Sequence, residues 1–275
     1  MFIPWYGEDD LNVAYRECIM SYIDIMGFRR LIHESIDQPG TRDGILHSLR
    51  EIDAAVNDRS IWHVDEPDAH LEPFGVHSFS DLIVRYRPLS EATDRKFAIF
   101  REILDICFAQ ARLIQHGTLI RGGLTIGKLY FDDKYVFGPG LVRAYELESR
   151  LAIYPRIIVE REIAQDLSEY WRGSPLLQDD VDGASYIAYL TPSTFAMFEN
   201  VDFNALRHTH SVLTWHLEET KPELTADRQK LLWASRKFNE LIDQFADMGK
   251  CSREEILGLK IDPLLYAKQS KSGVS

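Results

Sequence analysis

The stretch Ser21-Tyr22-Ile23-Asp24-Ile25-Met26-Gly27-Phe28-Arg29 decides the fold prediction, because it places a carboxylate at the end of an apolar strand. Gly27 then turns the chain towards an amphipathic helix. An ionised Asp loses hydration on burial, so we expect a positive partner for Asp24, and a divalent cation is the strongest candidate. The backbone N–H groups after Asp24 would face an anion. An ordinary surface turn with a helix N-cap explains the same pattern.

Composition limits the function classes. The chain has 275 residues, 45% hydrophobic and 27% charged, which suits one large domain or a domain with an appendage. A net charge of -12 argues against a general nucleic-acid binder. The three widely spaced cysteines indicate reduced thiols. The first residues, Met1-Phe2-Ile3-Pro4-Trp5, lack a signal-peptide pattern and no apolar run reaches membrane-spanning length, so we expect a cytoplasmic protein without membrane contact.

A second carboxylate lies at the tip of another apolar segment. Residues 74–86 read as two antiparallel strands joined by a tight turn at Ser80 and Asp81. If the strand ends are neighbours, Asp24 and Asp81 could share metal ions. An ordinary hairpin turn also favours a Ser-Asp pair.

The rest of the pattern alternates helices and strands up to Leu190. The spacing predicts a helix from Gly40, a helix capped by Ser90 and ending at Gly117, a central strand over 119–127, a hairpin around 132–134, a helix after Gly140, a strand over 156–159, a helix over 163–171 and a last strand over 186–190. From Pro192 the character changes to two helical segments, 206–219 and 226–247. We therefore divide the chain into 1–191 and a helical C-terminal extension, 192–275.

This order of elements, with its motifs, resembles the catalytic domain of class III nucleotidyl cyclases over Arg16 to Leu190. The segment 23–28 matches that family's first metal motif, Phe79-Ser80-Asp81 the second, 121–127 its central strand, and 137–148 the entry to its transition-state helix. Ser80 stands where the family usually has Gly. The resemblance implies an α+β, ferredoxin-like domain with a mainly antiparallel sheet and packed helices.

The resemblance also implies the site. Two divalent ions, Mn²⁺ or Mg²⁺, would be held by Asp24, Asp81 and the Ile25 carbonyl. Backbone N–H groups of Met26, Gly27 and Phe28, continuing to Arg29, would cradle the phosphates.

The base-facing positions depart from the family's two purine codes. The Lys of adenine-selecting members falls on His77, and their Asp falls on Tyr135. A bulky Tyr leaves less depth for a two-ring base, while His and Tyr can hydrogen-bond a pyrimidine edge. These features resemble the bacterial Pycsar antiphage cyclases. That resemblance implies a homodimer using manganese that converts UTP to cyclic UMP, or CTP to cyclic CMP, for a downstream effector.

The transition-state Asn and Arg of the family are missing, because their positions are Val142 and Glu146. Arg143 lies three residues before Glu146, on the same helix face, and is our candidate substitute. A surface Arg paired with Glu146 explains the pattern equally well. Two other functions stay open: a degenerate cyclase-fold module that binds without turnover, and a purine cyclase with an unusual pocket.

Overall fold

The computed structural model describes residues 14–57, 71–90, 94–170, 176–197, 200–221 and 224–262. The N-terminal residues behind the localisation prediction and the predicted helix end at Trp171 lie outside these ranges. The ends of both predicted domains, 1–13 and 263–275, lie outside them too.

A mixed sheet forms the centre of the described chain. Its strand order is β2-β3-β1-β4-β6-β8-β7, with β5 paired to β4. Neighbouring strands run antiparallel except β4 and β6, which are parallel. The strands are β1 (Arg16–Ile25), β2 (Gly75–Phe79), β3 (Leu82–Pro88), β4 (Ile120–Phe131), β5 (Val136–Phe137), β6 (Ile157–Val159), β7 (Leu177–Asp179) and β8 (Ser185–Ile187), and a separate hairpin joins β9 (Ala196–Met197) to β10 (Asn200–Val201). The predicted α+β fold with a mainly antiparallel sheet is confirmed.

Helices pack on this sheet, and three further helices follow the last strands at the C-terminal end of the chain. They are α1 (Phe28–Glu34), α2 (Pro39–Asn57), α3 (Arg95–Gln115), α4 (Pro139–Leu151), α5 (Arg161–Tyr170), α6 (Phe203–Glu219), α7 (Thr225–Met248) and α8 (Arg253–Leu257). The predicted cap of α3 was wrong. Asp94 is the N-cap, and its carboxylate accepts the Phe97 N–H at 3.1 Å, so the helix begins after Asp94 and not at Ser90.

Helix α4 lies directly against β4. A Cβ built on Gly123 would stand 2.3 Å from the Ala144 carbonyl oxygen and 2.5 Å from Leu147 Cβ. Only a residue without a side chain allows this approach. The position of α4 over the sheet is therefore set by the backbone of the central strands.

The face of the sheet opposite α4 carries a buried charge cluster between β3 and α3. Its members are Arg85, Arg87, Arg101, Glu102 and Asp105. Arg85 Nε lies 2.6 Å from Glu102 Oε1, and its Nη2 lies 2.7 Å from Asp105 Oδ2. Arg87 Nε lies 3.2 Å from Glu102 Oε2, and Arg101 Nε lies 2.9 Å from Asp105 Oδ1. All five residues are buried. Burial is tolerated because every charge has an opposite partner.

The C-terminal helices share the core of the sheet domain. One contiguous cluster of buried apolar side chains runs from Ile19 of β1 through Leu206 of α6 and Phe238 of α7 to Ile261. In the described chain these helices therefore pack on the sheet domain. None of the helices in the described ranges has the length and apolar character needed to span a lipid bilayer.

Candidate active site

Asp24 and Asp81 lie at adjoining strand ends. Asp24 is opposite Leu82 in the β1–β3 ladder, and the Ile25 N–H donates to the Asp81 carbonyl at 3.3 Å. The turn that presents Asp81 places Ser80 in the left-handed region, with φ 60°. The structure thus places Asp24, Ile25 and Asp81, three of the predicted site residues, next to one another.

Arg121 is the positive partner of Asp24 in this structure. It lies opposite Asp24 in the β1–β4 ladder, and its Nε donates to Asp24 Oδ2 at 2.8 Å. The same guanidinium places Nη2 2.7 Å from Glu148 Oε1 and donates from Nη1 to the Ala152 carbonyl at 3.3 Å. Sequence reasoning missed Arg121 and Glu148, although Arg121 opens the glycine-rich strand motif.

The local electrostatics show a shortage of positive charge. Burial raises the pKa of Asp24 above its ordinary value, and Asp81 raises it further, while Arg121 and, more weakly, Lys230 lower it. Burial also raises the pKa of Glu148, with Arg121 opposing and Asp24 adding to the shift. Asp24 and Glu148 thus share one guanidinium, and an added cation would favour the ionised forms of both carboxyl groups.

The donor set suits a hard divalent ion. The groups are carboxylate and carbonyl oxygens, which Mg²⁺ and Mn²⁺ prefer. In the described ranges, no group of three or more His, Cys, Asp or Glu side chains is arranged to hold a metal. Proteins commonly bind Mg²⁺ through one or two carboxylates together with phosphate oxygens of the substrate. The remaining ligands here would therefore come from the nucleotide.

The backbone after Asp24 forms the turn expected to receive phosphates. Gly27 is the N-cap of α1 with φ 80°, and no side chain caps this helix. The Met26 N–H already donates to the Leu119 carbonyl at 2.9 Å, which leaves the amides of Gly27, Phe28 and Arg29 as the candidates.

His77 and Tyr135 lie away from the two carboxylates of the same chain. His77 is opposite Val84, which is opposite Tyr22, so it lies two strands across and two residues along the ladder from Asp24, roughly 12 Å away. Its ring stacks on Tyr86 at 5.9 Å, and its Nε2 is 3.5 Å from the Tyr86 hydroxyl. Tyr135 is 56% exposed at the tip of the β4–β5 hairpin.

Arg143 is anchored by Glu160, a residue that sequence reasoning did not single out. Its Nε lies 2.6 Å from Glu160 Oε1, whereas the expected partner Glu146 is 3.6 Å from Nη1. The other oxygen of Glu160 accepts a hydrogen bond from the buried Thr125 hydroxyl of β4. Thr125 is four residues along β4 from Arg121, so Arg143 does not meet Asp24 within one chain.

Comparisons with known proteins give likenesses in structure alone. Neither the protein-family models nor the curated proteins yield a match to this sequence. The adenylyl cyclase CyaB from P. aeruginosa is similar in structure, at 15% identity and a TM-score of 0.43 over 63% of this chain and 94% of that one. An adenylate/guanylate cyclase/hydrolase from Silicibacter pomeroyi aligns at 18% identity and a TM-score of 0.40, over 63% of this chain and 95% of that one. Likenesses at this level carry no conclusion about the activity of this chain.

Proposed function

We propose that the chain is a nucleotidyl cyclase that converts a pyrimidine nucleoside triphosphate, UTP in the first place, into its 3′,5′-cyclic monophosphate and pyrophosphate. The observation that carries the proposal is the pairing of Asp24 and Asp81 at adjoining strand ends, joined by the Ile25–Asp81 backbone hydrogen bond. Two oxygen-donor side chains beside a turn with open amides form a metal–triphosphate site.

The chain's residues would orient the substrate for in-line displacement. Asp24, Asp81 and the Ile25 carbonyl would hold two divalent ions, Mn²⁺ or Mg²⁺, which supply Lewis-acid stabilisation of phosphate charge. The amides of Gly27 to Arg29 bind the phosphates, and Arg121 adds a cation at the same strand edge. The ribose 3′ hydroxyl gives up its proton to solvent water, and its oxygen forms a bond to the α-phosphorus while the bond to pyrophosphate breaks, so that pyrophosphate leaves with the electron pair.

The proposed site is shared between two copies of the chain. Within one chain, His77, Tyr135 and Arg143 stand apart from the two carboxylates, so a second copy is needed to complete the constellation. Phe79 and Val142 are 82% and 59% exposed, and apolar exposure of this kind suits a partner surface. Arg143, held by Glu160, would then face the phosphates bound by the partner.

Pyrimidine choice rests on His77 and Tyr135. Neither supplies the carboxylate or ammonium expected at these positions of a purine site, and the Tyr86 contact fixes the His77 ring. CTP remains the alternative substrate. The cellular setting is proposed from the resemblance alone: a cytoplasmic homodimer whose cyclic nucleotide activates an antiphage effector without stable contact.

A binding module without turnover is the second candidate. It is favoured by the Arg121–Asp24 ion pair, which already neutralises one expected metal ligand. Val142 and Glu146 at the transition-state positions point the same way.

The test is turnover of each of the four ribonucleoside triphosphates with Mn²⁺, with products identified by mass spectrometry. We expect cyclic UMP from the wild-type chain and none from Asp24→Ala or Asp81→Ala, because each change removes a metal ligand. Asp43→Ala, on the exposed surface of α2, is the matched control and should keep full activity. Nucleotide binding without any cyclic product would establish the binding module, and activity in either site variant would remove the two-metal mechanism.

A further inference from the structure

Two arginines donate hydrogen bonds to the carbonyl groups at the C-terminal end of α4. Arg121 Nη1 donates to the Ala152 carbonyl at 3.3 Å, and Arg156 Nη2 donates to the Leu151 carbonyl at 3.3 Å. Leu151 is the last residue of α4 and Ala152 is its C-cap. The last carbonyls of a helix lack intrahelical donors and carry the negative end of its dipole, so a guanidinium at each is favourable.

Arg121 connects this turn to the proposed metal site. It contacts α4 through Glu148 as well as the C-cap carbonyl, and it contacts Asp24 through Nε. A displacement of the end of α4 would therefore move the group that pairs with the Asp24 carboxylate.

Arg156 connects the same turn to the C-terminal helices. Its side chain is fully buried, and Nη1 lies 2.5 Å from Asp180 Oδ2. Trp233 of α7 donates its indole N–H to that same oxygen at 2.6 Å. The Trp233 ring also stacks on Tyr154, in the segment between α4 and β6, with centroids 5.6 Å apart and an interplanar angle of 6°.

The geometry of a guanidinium makes this contact directional. Its donors form a rigid planar fork, so the carboxylates that hold one side fix the direction of the other. Asp180 and Asp182 both pair with Arg156, and Nη2 is thereby aimed at the Leu151 carbonyl.

We propose that helix α7 positions the end of α4, and with it Arg121 beside Asp24, through the contacts of Trp233 with Asp180 and of Asp180 with Arg156. These three are positioning residues, since none of them touches the Asp24 carboxylate. The C-terminal extension would thus help to position residues of the proposed site, although the resemblance to cyclases ends at Leu190. Its effect on turnover rests on the proposed function, whereas its effect on α4 does not.

The experiment compares full-length Trp233→Phe and Arg156→Lys with the control Asn239→Ala. Phe keeps a ring against Tyr154 but lacks the indole N–H, and Lys keeps the charge of Arg156 but lacks the fork. Asn239 also lies on α7, where its side chain bonds the Ile261 carbonyl at 2.8 Å and the Ile261 N–H at 2.9 Å. The control thus loses two hydrogen bonds of α7 away from Asp180. Amide hydrogen exchange over 141–153 is measured together with kcat and KM for the nucleotide.

We expect the last turn of α4 to exchange about tenfold faster in both test variants and at the wild-type rate in the control. We expect kcat to fall about tenfold or more with little change in KM, because substrate binding is kept while the reacting groups are misplaced. Wild-type exchange in α4 of Trp233→Phe, which should fold, would overturn the inference. If the wild-type chain turns over no nucleotide, the proposed function fails and the exchange data still decide the role of α7.

Discussion

At the scale of single residues, the ionised carboxylate of Asp24 lowers the stability of the folded chain. Burial raises its pKa, and Arg121 offsets this only in part. A group whose pKa is higher in the folded than in the unfolded chain binds more protons when folded. Its contribution to the free energy of unfolding therefore falls as pH rises through the interval between the two values. A metal-binding function would explain why an Asp occupies this position.

Asp24→Asn should accordingly raise the melting temperature of the metal-free protein at neutral pH while abolishing turnover. The gain should shrink as pH falls through the raised pKa of the folded Asp24 carboxyl, and it should be lost once pH falls below the ordinary carboxyl pKa of about 4. Thermal melts across this pH range in a chelator provide the measurement. Asp43→Asn on exposed α2 is the control and should show no comparable gain. A lower melting temperature for Asp24→Asn at neutral pH would contradict this account of the site.

Ser80 holds a backbone conformation that favours glycine. Its φ of 60° in the turn before Asp81 costs an L-residue about 1 kcal/mol, so Ser80→Gly should raise the free energy of unfolding by up to about 1 kcal/mol. Denaturant unfolding measures the change. Ser78→Gly, in the adjoining strand β2, should instead destabilise the chain. Equal effects of the two substitutions would show that the turn is not strained.

At the scale of elements, the contact between α4 and β4 depends on the absence of a side chain at Gly123. Gly123→Ala should destabilise the protein by about 2 kcal/mol or more, because the new methyl group would overlap backbone atoms of α4. Gly44→Ala is the matched substitution. It lies within α2, where an added Cβ meets nothing within 4 Å, and should stabilise the chain by about 0.5–1 kcal/mol. Urea unfolding distinguishes the two, and a neutral Gly123→Ala would mean that α4 can move away from the sheet.

The elements themselves were largely predictable because hydrophobic periodicity reports which face of a segment is buried. The strand before Asp24, the hairpin at Ser80 and both long C-terminal helices are confirmed. The short elements β7, β9, β10 and α8 were missed, because a segment of two to five residues is too short to show a hydrophobic repeat.

The site was only half predictable for a different reason. Asp24 and Asp81 are visible in the sequence as carboxylates at apolar strand tips. Arg121 and Glu160 are not, because their partners depend on strand register and on how α4 sits over the sheet. Local sequence patterns show neither the strand register nor the position of α4 on the sheet.

At the scale of the whole molecule, the shared-site proposal predicts complementation between defective chains. Asp24→Ala and Arg143→Ala should each be inactive or weak alone. Mixed and allowed to exchange subunits, they should recover about one quarter of wild-type activity, because half of the dimers then contain one intact site of two. Turnover after mixing is the measurement.

Asp24→Ala mixed with Asp81→Ala is the control for that experiment. Both residues lie in the same half of the site, so no combination of these two chains restores a complete one. Recovery in this control, or none in the first mixture while both variants still dimerise, would exclude a site shared in this way.

The buried charge cluster of Arg85, Arg87, Arg101, Glu102 and Asp105 restricts how the sequence can diverge. Asp105 contacts all three arginines and Glu102 contacts two of them, so replacing either carboxylate increases the excess of positive charge in the core, a loss of about 3–5 kcal/mol, which is a large part of the stability of a typical domain. An all-apolar replacement could be as stable as the cluster, but intermediates that had lost one carboxylate would be strongly destabilised. Sequences that diverge from this chain should therefore keep the two carboxylates with their arginines or replace several of these residues at once. The cluster is difficult to lose by single substitutions.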